Sequence, residues 1–216
     1  MGGIIRREVV MDVKVSVLIP AYNAEDTIER AIGSVPNRDD VEVIVWDDGS
    51  EDNTFEKAGE AMNGRKGWVA ISNENHGVSY TVNRLLDKAN GEFVVLLGAD
   101  DWLISDNFNE VVDMLKPTLD LVYFDLEIND GTVMELNPKT KEGYCGSTKF
   151  IRREFVGDTR CEENRKAGED WYFYQELLKK KPKEAFTHIV LKHYNFPRVG
   201  SLSWKQRNGE LKPEEL

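Results

Sequence analysis

From Val13 to Leu115 the chain alternates between short apolar, β-branched runs and longer stretches with apolar residues on one helical face. "VKVSVLIP" (Val13–Pro20), "VEVIVW" (Val41–Trp46), "GWVAIS" (Gly67–Ser72) and "EFVVLLG" (Glu92–Gly98) read as strands. Between the first two, Ile28, Ala31, Ile32 and Val35 share one side of a helix. Thr54 to Asn63 and Gly77 to Gly91 read as helices, the latter with a glycine stop. Ser105 or Asp106 caps a fourth helix running to Leu115, with Pro117 beyond it. Strand and helix in strict turn make a mostly parallel α/β sheet, because parallel neighbours need a crossover. Helices on both faces explain strands that are apolar throughout rather than alternating.

The second half is less regular. Leu119–Ile128 is strand-like, and "GTVMEL" continues it as a hairpin through Asn129-Asp130-Gly131. Residues 137–168 are polar and match no clear pattern, Asp170–Lys180 reads as a helix, and "EAFTHIVLKHYNF" as a late strand. A chain of 216 residues suits one domain with tails, here 1–12, 13–204 and 205–216. The start is basic then apolar, but Glu8, Asp12 and Lys14 interrupt the apolar run, so it reads as a tail rather than a leader.

Charge narrows the function. A net charge of −11 disfavours nucleic acid and anionic membrane surfaces, which attract Lys and Arg. Cys145 and Cys161 form no CxxC pattern, so the expectation is a reducing, cytoplasmic setting without a disulfide framework. No apolar run is long enough to span a bilayer.

Three acidic pairs adjoin tryptophans: Asp47-Asp48 after Trp46, Asp100-Asp101 before Trp102, and Glu169-Asp170 before Trp171. The first two follow strands directly, and ligands of open α/β sheets bind outside the carboxyl ends of the strands. Each pair also has a structural reading as a turn or helix cap. For Asp100-Asp101 a cation is the stronger reading, since like charges beside an apolar strand repel. Paired carboxylates suit Mg2+ or Mn2+, which bind one or two of them together with substrate phosphates. The histidines offer no metal site: His188 and His193 are five apart, hence on opposite faces of a regular strand. His76 precedes a helix, as a donor contact or a surface residue.

"VSVLIPAYNAEDTIERAIGSV", "VEVIVWDDGSEDNT", "NHGVSYTVNRLLDKANGEFVVLLGADDW" and "GEDWYF" together resemble the successive motifs of family-2 glycosyltransferases of the GT-A fold, and "HYNFPRVGSLSW" is similar to their C-terminal motif. The resemblance implies that Pro20, Ala21 and Tyr22 line a nucleotide pocket and that Asp48 accepts a hydrogen bond from the base. It implies Asp100 near the ribose and Asp101 on a divalent metal, with Asn83 and Arg198, the latter with His193, on the donor side. Asp170 corresponds to the base of an inverting transfer. Mn2+ or Mg2+ is the implied cofactor, a nucleotide sugar (UDP-linked by family habit) the donor, and a glycan or lipid-linked saccharide the acceptor, with peripheral membrane contact.

Two positions depart from the family pattern. Gly98 stands where an acid is common and Val82 where an arginine is common. They leave a second expectation open, a non-catalytic member that binds a nucleotide sugar or a partner. A Rossmann dehydrogenase needs GxGxxG after its first strand, where this chain has "PAYNAED". A receiver-like domain needs acids there. A nucleotidyltransferase would leave Glu169-Asp170 without a role.

Overall fold

The computed structural model describes residues 12–141, 147–163 and 168–196. Its strands are β1 (Val15–Ala21), β2 (Val41–Asp47), β3 (Val69–Ser72), β4 (Phe93–Leu96), β5 (Trp102–Leu103), β6 (Leu121–Ile128), β7 (Val133–Met134), β8 (Lys149–Arg152) and β9 (Glu184–Tyr194). Its helices are α1 (Ile28–Gly33), α2 (Thr54–Ala61), α3 (Val78–Lys88), α4 (Ser105–Met114), α5 (Arg153–Val156) and α6 (Glu169–Lys179). All the strands join one sheet in the order β3-β2-β1-β4-β8-β6-β9-β5, with β7 beside β6.

The first half forms as the alternation dictates. β1 pairs in parallel with β2 and β4, and β2 with β3, each link crossing over through a helix. Val15, Val17 and Ile19 face one core with Val41, Val43 and Val45, which α1, α2 and α4 cover through Ile28, Ile32, Ala58, Phe108 and Val112. Leu18 and Ile44 face the other core, closed by Val82, Leu85 and Leu86 of α3 and Phe173, Tyr174 and Leu177 of α6. In the second half the sheet becomes mixed: β6 and β9 are still parallel. There β8 is antiparallel to both β4 and β6, and β5 to β9. β8 fills the middle of the sheet from within the polar stretch that had no readable pattern. Four residues, two of them basic, carry too short a period to stand out.

Pro20 lies inside β1 rather than ending it, opposite Trp46. Pairing with β4 has stopped at Leu18, so the N–H that proline lacks is not missed on that side. β9 is irregular: its pairing with β6 shifts between Tyr123 and Asp125 and again before Leu126, and His188 adopts a φ of 54°. These bulges undo simple alternation along β9, so consecutive Leu191 and Lys192 are both buried.

Candidate active site

The register of the parallel strands sets the first wall. Ala21, Asp47 and Ser72 are aligned across β1, β2 and β3, so the loops after these strands leave from one edge. The loop after β1 is stitched to the loop after β2: Asn23 N–H donates to Ser50 Oγ at 2.8 Å, Ala24 N–H to Thr54 Oγ1 at 2.7 Å, and Glu51 N–H to Asn23 Oδ1 at 2.9 Å. Pro20 and the buried Ala21 end β1, and Tyr22 stands 50% exposed at its tip.

Asp47 and Asp48 divide the work. Asp47 is buried and accepts from Ser72 Oγ at 2.8 Å and from Ser50, closing the turn beneath the site. Asp48 points toward the N-terminus of α3 and accepts from His76 N–H at 2.9 Å and Gly77 N–H at 2.8 Å. Each carboxylate oxygen keeps a further lone pair, so holding this loop leaves capacity for a ligand donor. Gly49 must be glycine here: its φ is 73°, and a Cβ would lie 2.7 Å from Asn75 N.

β1 separates β2 from β4, so the turn after β4 arrives on the other side of Tyr22. Asp101 N–H donates to Gly98 O at 3.0 Å, folding residues 98–101 into that turn. The two acids then differ sharply. Asp101 is 2% exposed and ion-paired with Lys192 Nζ at 2.9 Å, and its other oxygen accepts Asn195 N–H at 2.9 Å. Lys192 also donates to Ser147 Oγ. Asp100 is only partly buried, and its carbonyl accepts from Arg30 at 3.0 Å. The Arg30 guanidinium lies 3.8 Å from the Trp102 ring, which stacks at 3.8 Å on His193. Asp101, the expected metal ligand, is thus already held by Lys192 and Asn195. To hold a cation Asp101 would have to exchange the Lys192 ammonium for it, and Asp100 is the more exposed of the two. One carboxylate together with a diphosphate suffices for Mg2+ or Mn2+. Among the described residues no cluster of three metal-binding side chains forms, so such a cation would have to be completed by donor phosphates.

Asn83, expected on the donor side, is 2% exposed and occupied elsewhere. Its Oδ1 accepts Cys161 N–H at 2.8 Å and its Nδ2 donates to Cys161 O at 2.9 Å and Glu163 Oε1 at 3.0 Å. This amide clamp fixes the chain that leads into α6. Burial, reinforced by Glu169 and Asp170, pushes the Cys161 thiol up to about 12, so it stays protonated and inert near neutral pH.

α6 carries Glu169 and Asp170 in its first turn. Its buried face is Phe173, Tyr174 and Leu177, and Tyr174 Oη lies 2.6 Å from Tyr123 Oη, which donates to Glu184 at 2.7 Å. Lys149 from β8 sits over the Tyr174 ring at 4.1 Å. These contacts seat the helix against the sheet. Burial, with the neighbouring Asp170 adding to it, raises the Glu169 pKa. Asp170 is half-buried, and its Oδ1 accepts Trp171 N–H at 2.7 Å. Arg198 lies outside the described residues. Sequence reasoning did not single out Lys192, although a lone lysine inside the apolar run "HIVLKHY" is a signal, because lysine is buried only when paired.

A curled α/β sheet with acidic turns at the carboxyl ends of β2 and β4 is the architecture of GT-A nucleotide-sugar enzymes. The glycosyl transferase family 2 model matches residues 16–186, and the chain belongs to that family. It is 27% identical over 207 residues, 88% of this chain and 67% of the relative, to a Campylobacter jejuni GalNAc(5)-diNAcBac-PP-undecaprenol beta-1,3-glucosyltransferase. It is 35% identical over 121 residues, 54% of this chain and 47% of the relative, to the Escherichia coli UDP-Glc:alpha-D-GlcNAc-diphosphoundecaprenol beta-1,3-glucosyltransferase WfgD. Among solved structures it resembles Staphylococcus aureus TarS in complex with UDP-GlcNAc, with a TM-score of 0.76 at 21% identity over 88% of this chain and 60% of that one. The Pyrobaculum calidifontis mannosyltransferase PcManGT, in complex with GDP-Man and Mn2+, gives 0.67 at 20% over 91% and 61%. The chain spans 32% of one curated relative, the Bacillus subtilis putative glycosyltransferase EpsH, and 23% of another, the minor teichoic acid protein GgaB of the same species.

Proposed function

We propose that the chain is an inverting glycosyltransferase that moves a sugar from a nucleotide-diphosphate donor, a UDP-sugar, to a hydroxyl of a glycan or lipid-linked saccharide. The observation that carries this reading is the delivery of Asp48 and Asp100 to one sheet edge on either side of the Tyr22 loop, in a chain of this family. The relatives named for undecaprenol-linked acceptors support the acceptor class. No helix among the described residues is long and apolar enough to cross a membrane.

In this reading Asp48 accepts from the base, Tyr22 covers it, and Asp100 faces the ribose and diphosphate. Asp101 and Asp100 would hold a divalent cation, which would supply charge neutralisation for the departing diphosphate. The acceptor oxygen attacks the anomeric carbon as the bond to the β-phosphate oxygen breaks with its electron pair, and Asp170 takes the acceptor proton. Attack opposite the leaving group inverts the centre. Arg198 and His193 stand toward the diphosphate in the family pattern.

The test is nucleoside diphosphate release from a panel of nucleotide sugars with Mn2+, with undecaprenol-linked saccharides as acceptors. UDP release dependent on donor, acceptor and cation is expected. Asp170→Asn should retain donor binding by thermal shift while turnover falls by about 100-fold or more. Near-normal turnover would remove Asp170 as the base. Donor binding without release by the unaltered protein would favour a non-catalytic binding member.

A further inference from the structure

Each of the three acidic pairs has a tryptophan beside it, and two of these tryptophans are spent within the fold. Trp46 donates its indole N–H to Asn73 Oδ1 at 2.8 Å. Trp102 packs against the Arg30 guanidinium and the His193 ring, each at 3.8 Å. Trp171 differs. It is 42% exposed, and it meets the Tyr172 ring edge-on at 4.8 Å, where Tyr172 is itself 43% exposed. A single exposed apolar residue needs no explanation. Two adjacent aromatic rings directly after the proposed base do. The direction of α6 sets where they stand. Lys180, just past its end, donates to Phe155 O at 3.2 Å and Val156 O at 3.0 Å. These residues follow β8, whose Arg152 pairs with Phe93 at the start of β4. α6 therefore ends where β4 begins, and its first turn, with Asp170 and Trp171, lies toward the edge where β4 ends.

From this geometry we infer that Trp171, backed by Tyr172, is the platform on which the acceptor sugar ring rests while its hydroxyl meets Asp170. The inference rests on the transferase reading above and names an acceptor contact which that reading leaves unassigned. Consecutive helical residues stand about 100° apart, so Trp171 is beside Asp170 rather than over it. A pyranose presents a face of C–H groups and a rim of hydroxyls. A flat indole covers the face and leaves the rim free to reach the neighbouring carboxylate. Tyr172, edge-on to Trp171, limits the directions in which the indole can swing. The surroundings suit a sugar better than an anionic lipid surface, because the first turn of α6 carries Glu169 and Asp170 and no base.

Trp171→Ala, Trp171→Leu and Trp171→Phe separate this role from a structural one. Steady-state UDP release is measured against an undecaprenol-linked saccharide, and against the methyl glycoside of the same saccharide as acceptor or competing inhibitor. Trp171→Ala should raise the acceptor KM about tenfold, the scale of one lost aromatic contact. Its UDP affinity by titration calorimetry should stay within about twofold, and its urea midpoint should not move, since the indole is not part of the core. Trp171→Phe should recover most of the loss because it restores a flat ring, whereas Trp171→Leu, apolar but not flat, should not. An unchanged acceptor KM in Trp171→Ala overturns the inference and leaves the transferase reading intact. A urea midpoint that falls in step with the rise in KM also overturns it, as does equal rescue by Leu and Phe. A loss seen with the lipid-linked acceptor but not with the methyl glycoside assigns Trp171 to the lipid and overturns the sugar platform. Absence of UDP release by the unaltered protein with every acceptor removes the transferase reading and the inference together.

Discussion

At the scale of single residues, burial and hydrogen-bond saturation separate ligand-facing groups from groups that hold the site in place. Asp48 and Asn83 both lie in motifs shared with the family, and neither is idle in the absence of a ligand. Asp48 holds the loop that enters α3 through two backbone donors, His76 N–H and Gly77 N–H. Asn83 satisfies both polar groups of the Cys161 backbone unit. Removing the Asn83 amide leaves those buried groups unpaired, at a cost of about 1–3 kcal/mol each where water cannot reach them. Asn83→Ala is therefore expected to lower the urea midpoint, and to lower turnover through a displaced α6, with nucleotide affinity within about twofold of the unaltered protein by titration calorimetry. A loss of nucleotide affinity larger than the loss of stability would instead make Asn83 a donor contact. The sequence placed Asn83 in the right motif, but nothing in a linear string shows whether an amide faces a ligand or a neighbouring loop.

At the scale of elements, the closest approach lies where α3 turns into β4. Glu42 on β2 accepts from Ser16 Oγ at 2.5 Å and from Asn90 N–H at 2.7 Å, and Gly91 N–H donates to Ser16 Oγ at 2.8 Å. This buried polar knot sets the register of β4 on β1, and through it the height at which Asp100 and Asp101 emerge. A Cβ at Gly91 would lie 2.5 Å from Ser16 N, against backbone that cannot swing aside. Gly91→Ala is expected to destabilise the fold by about 1–3 kcal/mol, the range for overpacking, seen as a lower midpoint in denaturant with little change in slope. The strand–helix alternation of this half was legible because each element has a long period and a clear stop. β8 and the β9 bulges were not, because a strand of four residues and a local change of pleat leave no periodic trace. The same lapse concealed Lys192, whose burial depends on the bulges.

At the scale of the whole molecule, carboxylates tie distant elements together and set its response to acid. Arg38 hydrogen-bonds Asp40 and holds its carboxyl below the usual range, while also reaching Asp113 on α4. Burial pushes Asp120 and Asp52 up, but hydrogen bonds outweigh it: Lys183 N–H and Arg152 for Asp120, Thr54 and Glu25 N–H for Asp52. Each folded-state pKa is depressed, so the stability these groups supply is present above an unfolded value near 3.8 and is lost as pH falls through the lower folded values. Glu169 has the opposite sign. Burial raises its pKa from 4.5, so its cost is felt at neutral pH and relieved as pH falls through the folded value. Urea midpoints should therefore hold or rise slightly from neutral pH toward about 5 and drop below about 4, and Asp120→Asn should flatten the drop.

Alternation of strand and helix, the stops between them and the acids at two strand ends were decided by the sequence itself, because period, turn chemistry and charge are local properties. From them follow the α/β class, the edge on which a ligand binds and the motifs of the family. Which of two adjacent acids is accessible was decided only by tertiary structure. Asp100 and Asp101 are chemically identical in the string. They part company because a strand 91 residues downstream, bent by bulges, brings an ammonium against Asp101, which is buried, while Asp100 stays the more exposed.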